Sequence, residues 1–397
     1  MLFVGRTPYW LKSTLAVATL LAGSSSVSGL AHAGAAASYL QSAHNYERAG
    51  DLRAAEIQLR NAAQAEPGNA SICFELAQVY LKLGNPNAAQ AELYAARTRG
   101  ARAEALAPLS AEVLFELGDF GNLLKNVPAG NRSAKIESVV RTFRGMAQLS
   151  LGETAEAWNS LSEAERLDPK ATEPKIALAR LFMAQQKVDE AERKVDEILA
   201  YSPRNTQAHE LKGLVLVMRG KTDLAMQQFN AAIAADPHNA RALLDRANTE
   251  IGKGQQDRAR ADIKAAQAVA PGNVMAIVLT AQLDVMNGKF QDANALLNKL
   301  SGMMAKMPSI YLLDAEVKLK LNQIALAESD LNKLIAHLPN EPKAYQMLAM
   351  IASRRGDTDR AAAMLEHARQ LAPKDVQILA LLGQSYLSRG ELGKAKE

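Results

Sequence analysis

A single cysteine stands among 397 residues. Cys73 therefore has no partner for a disulfide within the chain, and packing must hold the fold. Aromatic residues are scarce, at 5%, while alanine is abundant, a balance that favours closely packed helices over sheet. The six histidines (His32, His44, His209, His238, His337 and His367) are never spaced as metal ligands with one another or with the cysteine. No G-x-S-x-G element occurs, and the glycines of GKGQQ (252–256) follow a helical pattern, which excludes a phosphate loop. Asp and Glu mostly flank turns or lie on exposed helix faces, as Asp189, Glu190 and Glu192 do, where helix-end electrostatics accounts for them. No enzyme activity, cofactor or metal is expected. Net charge is +4, and Arg6 and Lys12, the only charges before residue 34, leave +2 for the remainder. That excludes a nucleic-acid footprint. Past the first 33 residues no apolar run is long enough to span a bilayer.

What those first residues contain is a leader pattern. Arg6 and Lys12 form a basic start, STLAVATLLAG (13–23) a short apolar core, and AHA (31–33) a small-x-small cleavage site before Gly34. The apolar core is well short of the roughly 20 residues a membrane span needs. Residues 1–33 are expected to be a signal peptide cleaved after Ala33, and an exported bacterial chain would then be periplasmic. No cysteine near the cleavage site offers a lipid anchor.

The rest of the chain has a period. Gly50, Gly84, Gly118, Gly152, Gln186, Gly220, Gly254, Gly288, Asn322, Gly356 and Gly390 follow one another at steps of 34 residues. Five residues after each stands a small side chain, from Ala55 to Ala395, with Leu123 the exception. Seven before each stands Ala or Gly, from Ala43 to Gly383. Seventeen after come Pro67, Pro169, Pro203, Pro237, Pro271, Pro339 and Pro373. Each column has a physical reason. A turn glycine takes positive φ without steric penalty, Asn322 substitutes fairly cheaply and Gln186 less so. Small residues let two helices approach at the short end of the 8–10 Å range. Leu59, Leu93, Leu161, Phe229, Leu331 and Leu365 fill the core between them, and proline stops the second helix.

This frame resembles the tetratricopeptide repeat over residues 36–397. The resemblance implies an all-α, right-handed superhelical solenoid of about eleven helix-turn-helix repeats. First helices would line a concave side and second helices a convex one. Stability would be a sum of repeats and their interfaces. Two places strain the frame. In the third repeat (104–137), Leu123 and Gly130 replace small helix formers and Pro128 interrupts the second helix. A shortened helix near 120–127 and a loop at 128–134 are expected, as drift, a bend or a docking loop. Pro108 is expected in the first turn of the helix before it. The last repeat begins at 376 and is cut at 397, so a flank around Leu381, Leu382 and Tyr386 is expected to be open, as in a piece of a longer protein.

On the first helices, the facing implied by the resemblance turns Phe74, Gln78, Met146, Met183, Met218, Asn248, Met275, Gln282, Met286, Gln346, Met350 and Gln384 inward. Methionine and glutamine make an adaptable lining for protein or peptide partners in a concave groove. Gap filling between helices is the other reading of the methionines. In many peptide-binding relatives a Lys, Asn and Arg cluster clamps a terminal carboxylate. Asn248 occupies a matching slot but Leu244 stands where lysine is wanted, so carboxylate capture is not expected.

The order of regular repeats, a degenerate EALAPLSAEVLFELGDFGNLLKNV (104–127) and then RGMAQLSLGETAEA (144–157) is similar to the repeat protein of exosortase/PEP-CTERM sorting systems. That resemblance implies a scaffold in exopolysaccharide production or export, or in sorting of surface proteins, with an envelope secretion complex as partner. The alternative is the repeat segment of an outer-membrane polysaccharide secretin, similar to the subunit that exports cellulose, or of a glycosyltransferase whose other domain is missing.

Overall fold

The computed structural model describes residues 30–396, so the expected leader lies outside it except for the stretch from Leu30, where the first helix opens. Among the described residues the regular elements are all helical. They run as eleven helix-turn-helix pairs: α1 (Leu30–Ala49) with α2 (Leu52–Ala65), α3 (Ala70–Lys82) with α4 (Pro86–Thr98), α5 (Ala103–Glu116) with α6 (Phe120–Asn126), α7 (Ala134–Leu151) with α8 (Thr154–Leu167), α9 (Glu173–Ala184) with α10 (Val188–Tyr201), α11 (Thr206–Met218) with α12 (Thr222–Ala235), α13 (Ala240–Gly252) with α14 (Gln256–Val269), α15 (Val274–Met286) with α16 (Phe290–Asn298), α17 (Ile310–Lys320) with α18 (Ile324–His337), α19 (Pro342–Arg354) with α20 (Thr358–Leu371), and α21 (Val376–Ser388) with α22 (Leu392–Lys396). The all-helical repeat fold read from the sequence is the fold observed. The described chain divides into two compact units, 30–228 and 229–396, with the boundary inside α12.

The turns close as the period requires. The slots that lack glycine, Gln186 and Asn322, both hold φ at 60°, the left-handed region that the glycines of the column also occupy. In each repeat the N–H of the next residue bonds the carbonyl five residues back, as from Asp51 to Tyr46 (2.9 Å), Lys187 to Phe182 (2.8 Å) and Gln323 to Lys318 (2.8 Å). This is the Schellman closure that satisfies orphan carbonyls at a helix end. A second periodic row opens the first helices. Asn69, Asn205, Asn239, Asn273 and Asp375 each accept a hydrogen bond from an N–H two or three residues on, capping α3, α11, α13, α15 and α21.

Packing follows the small columns. Ala55, Ala89, Ala157, Ala191, Ala259, Ala293, Ala327 and Ala361 are fully buried, as are Ala43, Ala77, Ala111, Ala179, Ala247, Ala281 and Ala315 in the facing column. Gly145 shows how close the helices come: a Cβ there would meet Leu161 Cγ at 2.5 Å and the Ala157 carbonyl at 3.2 Å. Leu59, Leu161, Phe229 and Leu331 fill the space between with no exposed surface. Each such side chain contributes about 1.5–3 kcal/mol of burial. Successive first helices also touch directly, α3 with α5, α5 with α7, α7 with α9 and α9 with α11 in one unit, α13 with α15 and α15 with α17 in the other. Second helices show no such row of contacts. From α3 to α11 and from α13 to α17 the first helices are therefore the more closely spaced layer.

Three local expectations are corrected. Pro108 lies inside α5, not in its first turn, because α5 begins at Ala103. The linker before it is short because Gly100 (φ 91°) closes α4 with an Ala101 N–H to Ala96 carbonyl bond of 3.0 Å, doing the work of the missing proline. The eighth repeat is also irregular: α16 stops at Asn298, and a 3-10 turn, Ser301–Met303, carries the chain onward. Leu300 and Met304 are buried there and hold the shortened segment to the core of α17 and α18. In α21, Leu382 and Tyr386 are buried against Ala349 and Leu365 of the preceding repeat and Leu381 is half-buried beside them. The exposed apolar side chains of that repeat are instead Val376, Leu379, Leu387 and Leu392. In the third repeat, α6 has seven residues and residues 127–133 form the loop after it.

Candidate functional site: the first-helix face

Positions thirteen, ten, six and two before each turn residue recur at i, i+3, i+7 and i+11, which places them on one face of a helix. On α15 they are Met275, Val278, Gln282 and Met286, and on α19 Lys343, Gln346, Met350 and Arg354. The structure leaves this face open in the C-terminal unit. Met275, Met286 and Met350 are 44%, 45% and 40% exposed, Asn248 and Gln384 are exposed, and Gln282 and Gln346 are half-buried. In the N-terminal unit Met218 is open, while Phe74, Gln78 and Met183 are half-buried. Phe74 packs with the core of α3 and α4, and Met183 with that of α9 to α11.

Met146 does not belong to an accessible face. It is buried with Phe143, Leu123 and Leu181 in the core of the third to fifth repeats. Its unbranched, deformable side chain shares that core with Leu123 of the short α6. Leu244 is buried too, so a carboxylate-clamp lysine would have its counterpart here in the core.

The two units differ in charge on this face. In the N-terminal unit some of these groups pair across repeats: Lys82 with Glu47 at 2.7 Å and Arg180 with Glu210 at 3.2 Å, while the His44 ring bonds Glu75 at 2.8 Å. Glu112 and Glu116, six and two before the turn on α5, have no such partner among the described residues. Burial, then repulsion from Glu116, pushes Glu112 up to about 7 against the pull of Lys82. Glu116 is also raised by burial. A carboxyl whose folded pKa is raised contributes stability in acid that is lost as pH rises through the folded value. The Glu112 contribution should therefore fade through pH 7. Glu112→Gln should resist urea better than the native protein at pH 8 and no better at pH 5; equal gains at both would remove the titration from the explanation.

Sequence reasoning passed over these acids, and over Lys320, Lys343 and Arg354 of the C-terminal unit, because it weighted methionine and amides. The signal was present in the same frame positions. The irregular loop, by contrast, is bound inward. Glu137 accepts from the Gly130 N–H (2.9 Å), Arg132 Nη1 (2.7 Å) and Arg141 Nε (2.8 Å), while Arg144 Nη1 donates to the Leu124 and Val127 carbonyls at 2.8 and 2.9 Å. Its polar groups are used in holding α6 to α7. Among the described residues no group of three His, Cys, Asp or Glu is placed to hold a metal ion, and no helix is long and apolar enough to cross a membrane.

Comparison with known proteins agrees with this architecture. Two family models, each described as tetratricopeptide repeat, match residues 176–240 and residues 46–113 and 352–397. No curated protein matches the chain. Among solved structures, the APC/C hetero-tetramer Cut9–Hcn1 is similar in fold, with a TM-score of 0.50 at 12% identity over 88% of this chain and 96% of that one. A tetratricopeptide repeat protein of Parabacteroides merdae aligns over 67% of this chain and 98% of its own at 19% identity and a TM-score of 0.48. Yeast Tom70 aligns over 91% and 83% at 15% identity and a TM-score of 0.44. The matched segments are thus tetratricopeptide repeats, and the helix pairs between them continue in the same 34-residue frame.

Proposed function

We propose that the chain is a non-catalytic scaffold that binds protein partners on the inner, first-helix face. The observation that carries this is the open row of methionine and amide side chains on α13, α15, α19 and α21, built on helices fixed by buried alanine columns. Such a row offers contact area that adapts to a partner without reshaping the backbone. A photo-crosslinking amino acid at Met286 should capture partner protein in cells. The same group at Leu326, exposed on the second helix α18, should not. Equal capture at both positions would contradict the reading.

The cellular setting we propose is the periplasm, in exopolysaccharide production or export or in sorting of surface proteins, with a secretion complex of the envelope as partner. Its support is the leader pattern of residues 1–33 and the order of regular and degenerate repeats. Amino-terminal sequencing of the protein from its own cells should begin at Gly34, and cell fractionation should release it with the periplasm. An intact Met1 in the cytoplasmic fraction would overturn this setting and leave the binding face untouched.

A further inference from the structure

We infer that the first-helix face of the C-terminal unit takes an acidic peptide segment with apolar anchors, a proposal that rests on the inner face being the binding face. The argument is charge placement. Lys343 and Arg354 stand at opposite ends of the exposed stripe on α19, eleven residues apart, and Lys320 ends the same stripe on α17. All three are exposed and none makes an ion pair among the described residues, whereas some surface cations of this unit do, as Arg355 and Arg360 do with Glu328. Between these cations the stripe is methionine, alkyl and amide, with Glu316 its one carboxylate on α17. The result is a floor about 16 Å across, charged only at Glu316 on α17, with cations along both margins.

That arrangement repels basic segments and leaves a neutral one without partners for the margins. An acidic segment gains on both counts: its carboxylates meet Lys320, Lys343 and Arg354 at the rim while its apolar side chains reach Met286 and Met350. Neighbouring helices pack at 8–10 Å, so the five first helices of the unit span about 40 Å. An extended peptide rises about 3.3 Å per residue, which sets the matching segment at roughly a dozen residues.

The test uses the full chain and two labelled peptides of about 14 residues with blocked ends. One alternates Leu and Phe with Asp and Glu, and the other replaces the acids with Lys. Fluorescence anisotropy should show the acidic peptide binding, weakening as salt rises, and the basic one not. Joint charge reversal, Lys320→Glu with Lys343→Glu and Arg354→Glu, should weaken the acidic peptide at least about tenfold with the circular dichroism unchanged. Blocked ends exclude capture of a terminal carboxylate. Failure of the acidic peptide to bind, equal binding of the basic one, or full affinity in the charge-reversed variant would overturn the inference. If Met286 still crosslinks a partner in that variant with undiminished yield, the acidic class is wrong and the inner face stands. If Met286 captures nothing in the native protein, the inner face itself is wrong.

Discussion

Glu137→Ala should destabilise the N-terminal unit by about 3 kcal/mol, a large share of the ~5–15 kcal/mol that separates folded from unfolded domains. Glu137 is 2% exposed and lies in the first turn of α7, where a carboxylate is favoured by the unsatisfied N–H groups. It neutralises Arg132 and Arg141, whose side chains are only 15% and 26% exposed, and it accepts the Gly130 N–H. Alanine leaves two partly buried cations and a backbone donor without it, the costly way to break such a cluster. Two readouts should move together. The urea midpoint of the unit should fall, and trypsin should gain access at Arg132 as residues 127–133 come loose. A native midpoint with Arg132 still resistant would mean that the loop is held by the Arg144 bonds to α6 alone.

Gly145→Val is the second large effect. The substitution places a branched side chain where even Cβ would come within 2.5 Å of Leu161 Cγ and 3.2 Å of the Ala157 carbonyl. Leu161 has no exposed surface to retreat into, and the carbonyl belongs to the backbone of α8. The helix pair must separate, at a cost of about 1–3 kcal/mol or more. Gly145→Ala should cost less, and Gly121→Ala, where nothing lies within 4 Å, should be close to neutral. Adding Leu161→Ala to Gly145→Val should recover part of the loss, since the two changes share one space. Additive losses in the double variant would show that the cost at Gly145 has another cause than this contact.

The period made most of the fold legible because each column answers to a local requirement. A turn residue at positive φ, a small residue at a close approach and a proline past a helix end are each decided within a few residues. The slots of Gln186 and Asn322 show the strength of that logic, since the frame alone demanded a left-handed backbone from residues that disfavour it. Legibility failed where tertiary packing replaced a local signal. Gly100 closed a helix without proline and moved the start of α5, so Pro108 fell inside it. The eighth repeat carried no local warning, because Leu300 and Met304 are held by α17 and α18, remote in sequence from the break. On the candidate face, frame position fixed which side of a helix a residue takes. It did not fix burial: Met146 lies in a core shared with Leu123 of α6 and Leu181 of α9, neighbours that its own slot does not encode. Charge was legible throughout, and Lys320, Lys343 and Arg354 become meaningful once their lack of ion pairs among the described residues is seen.

The central claim is that interchangeable two-helix modules in strict phase build this chain. Deletion tests it most directly. Removing residues 240–273, one full period comprising α13 and α14, should leave a protein that still unfolds cooperatively in urea and loses helical signal only in proportion to its length. Removing residues 240–256, half a period, should bring second helices into first-helix places and abolish cooperative unfolding of the C-terminal unit. Equal damage from the two deletions, or a milder effect of the half-period one, would contradict the claim.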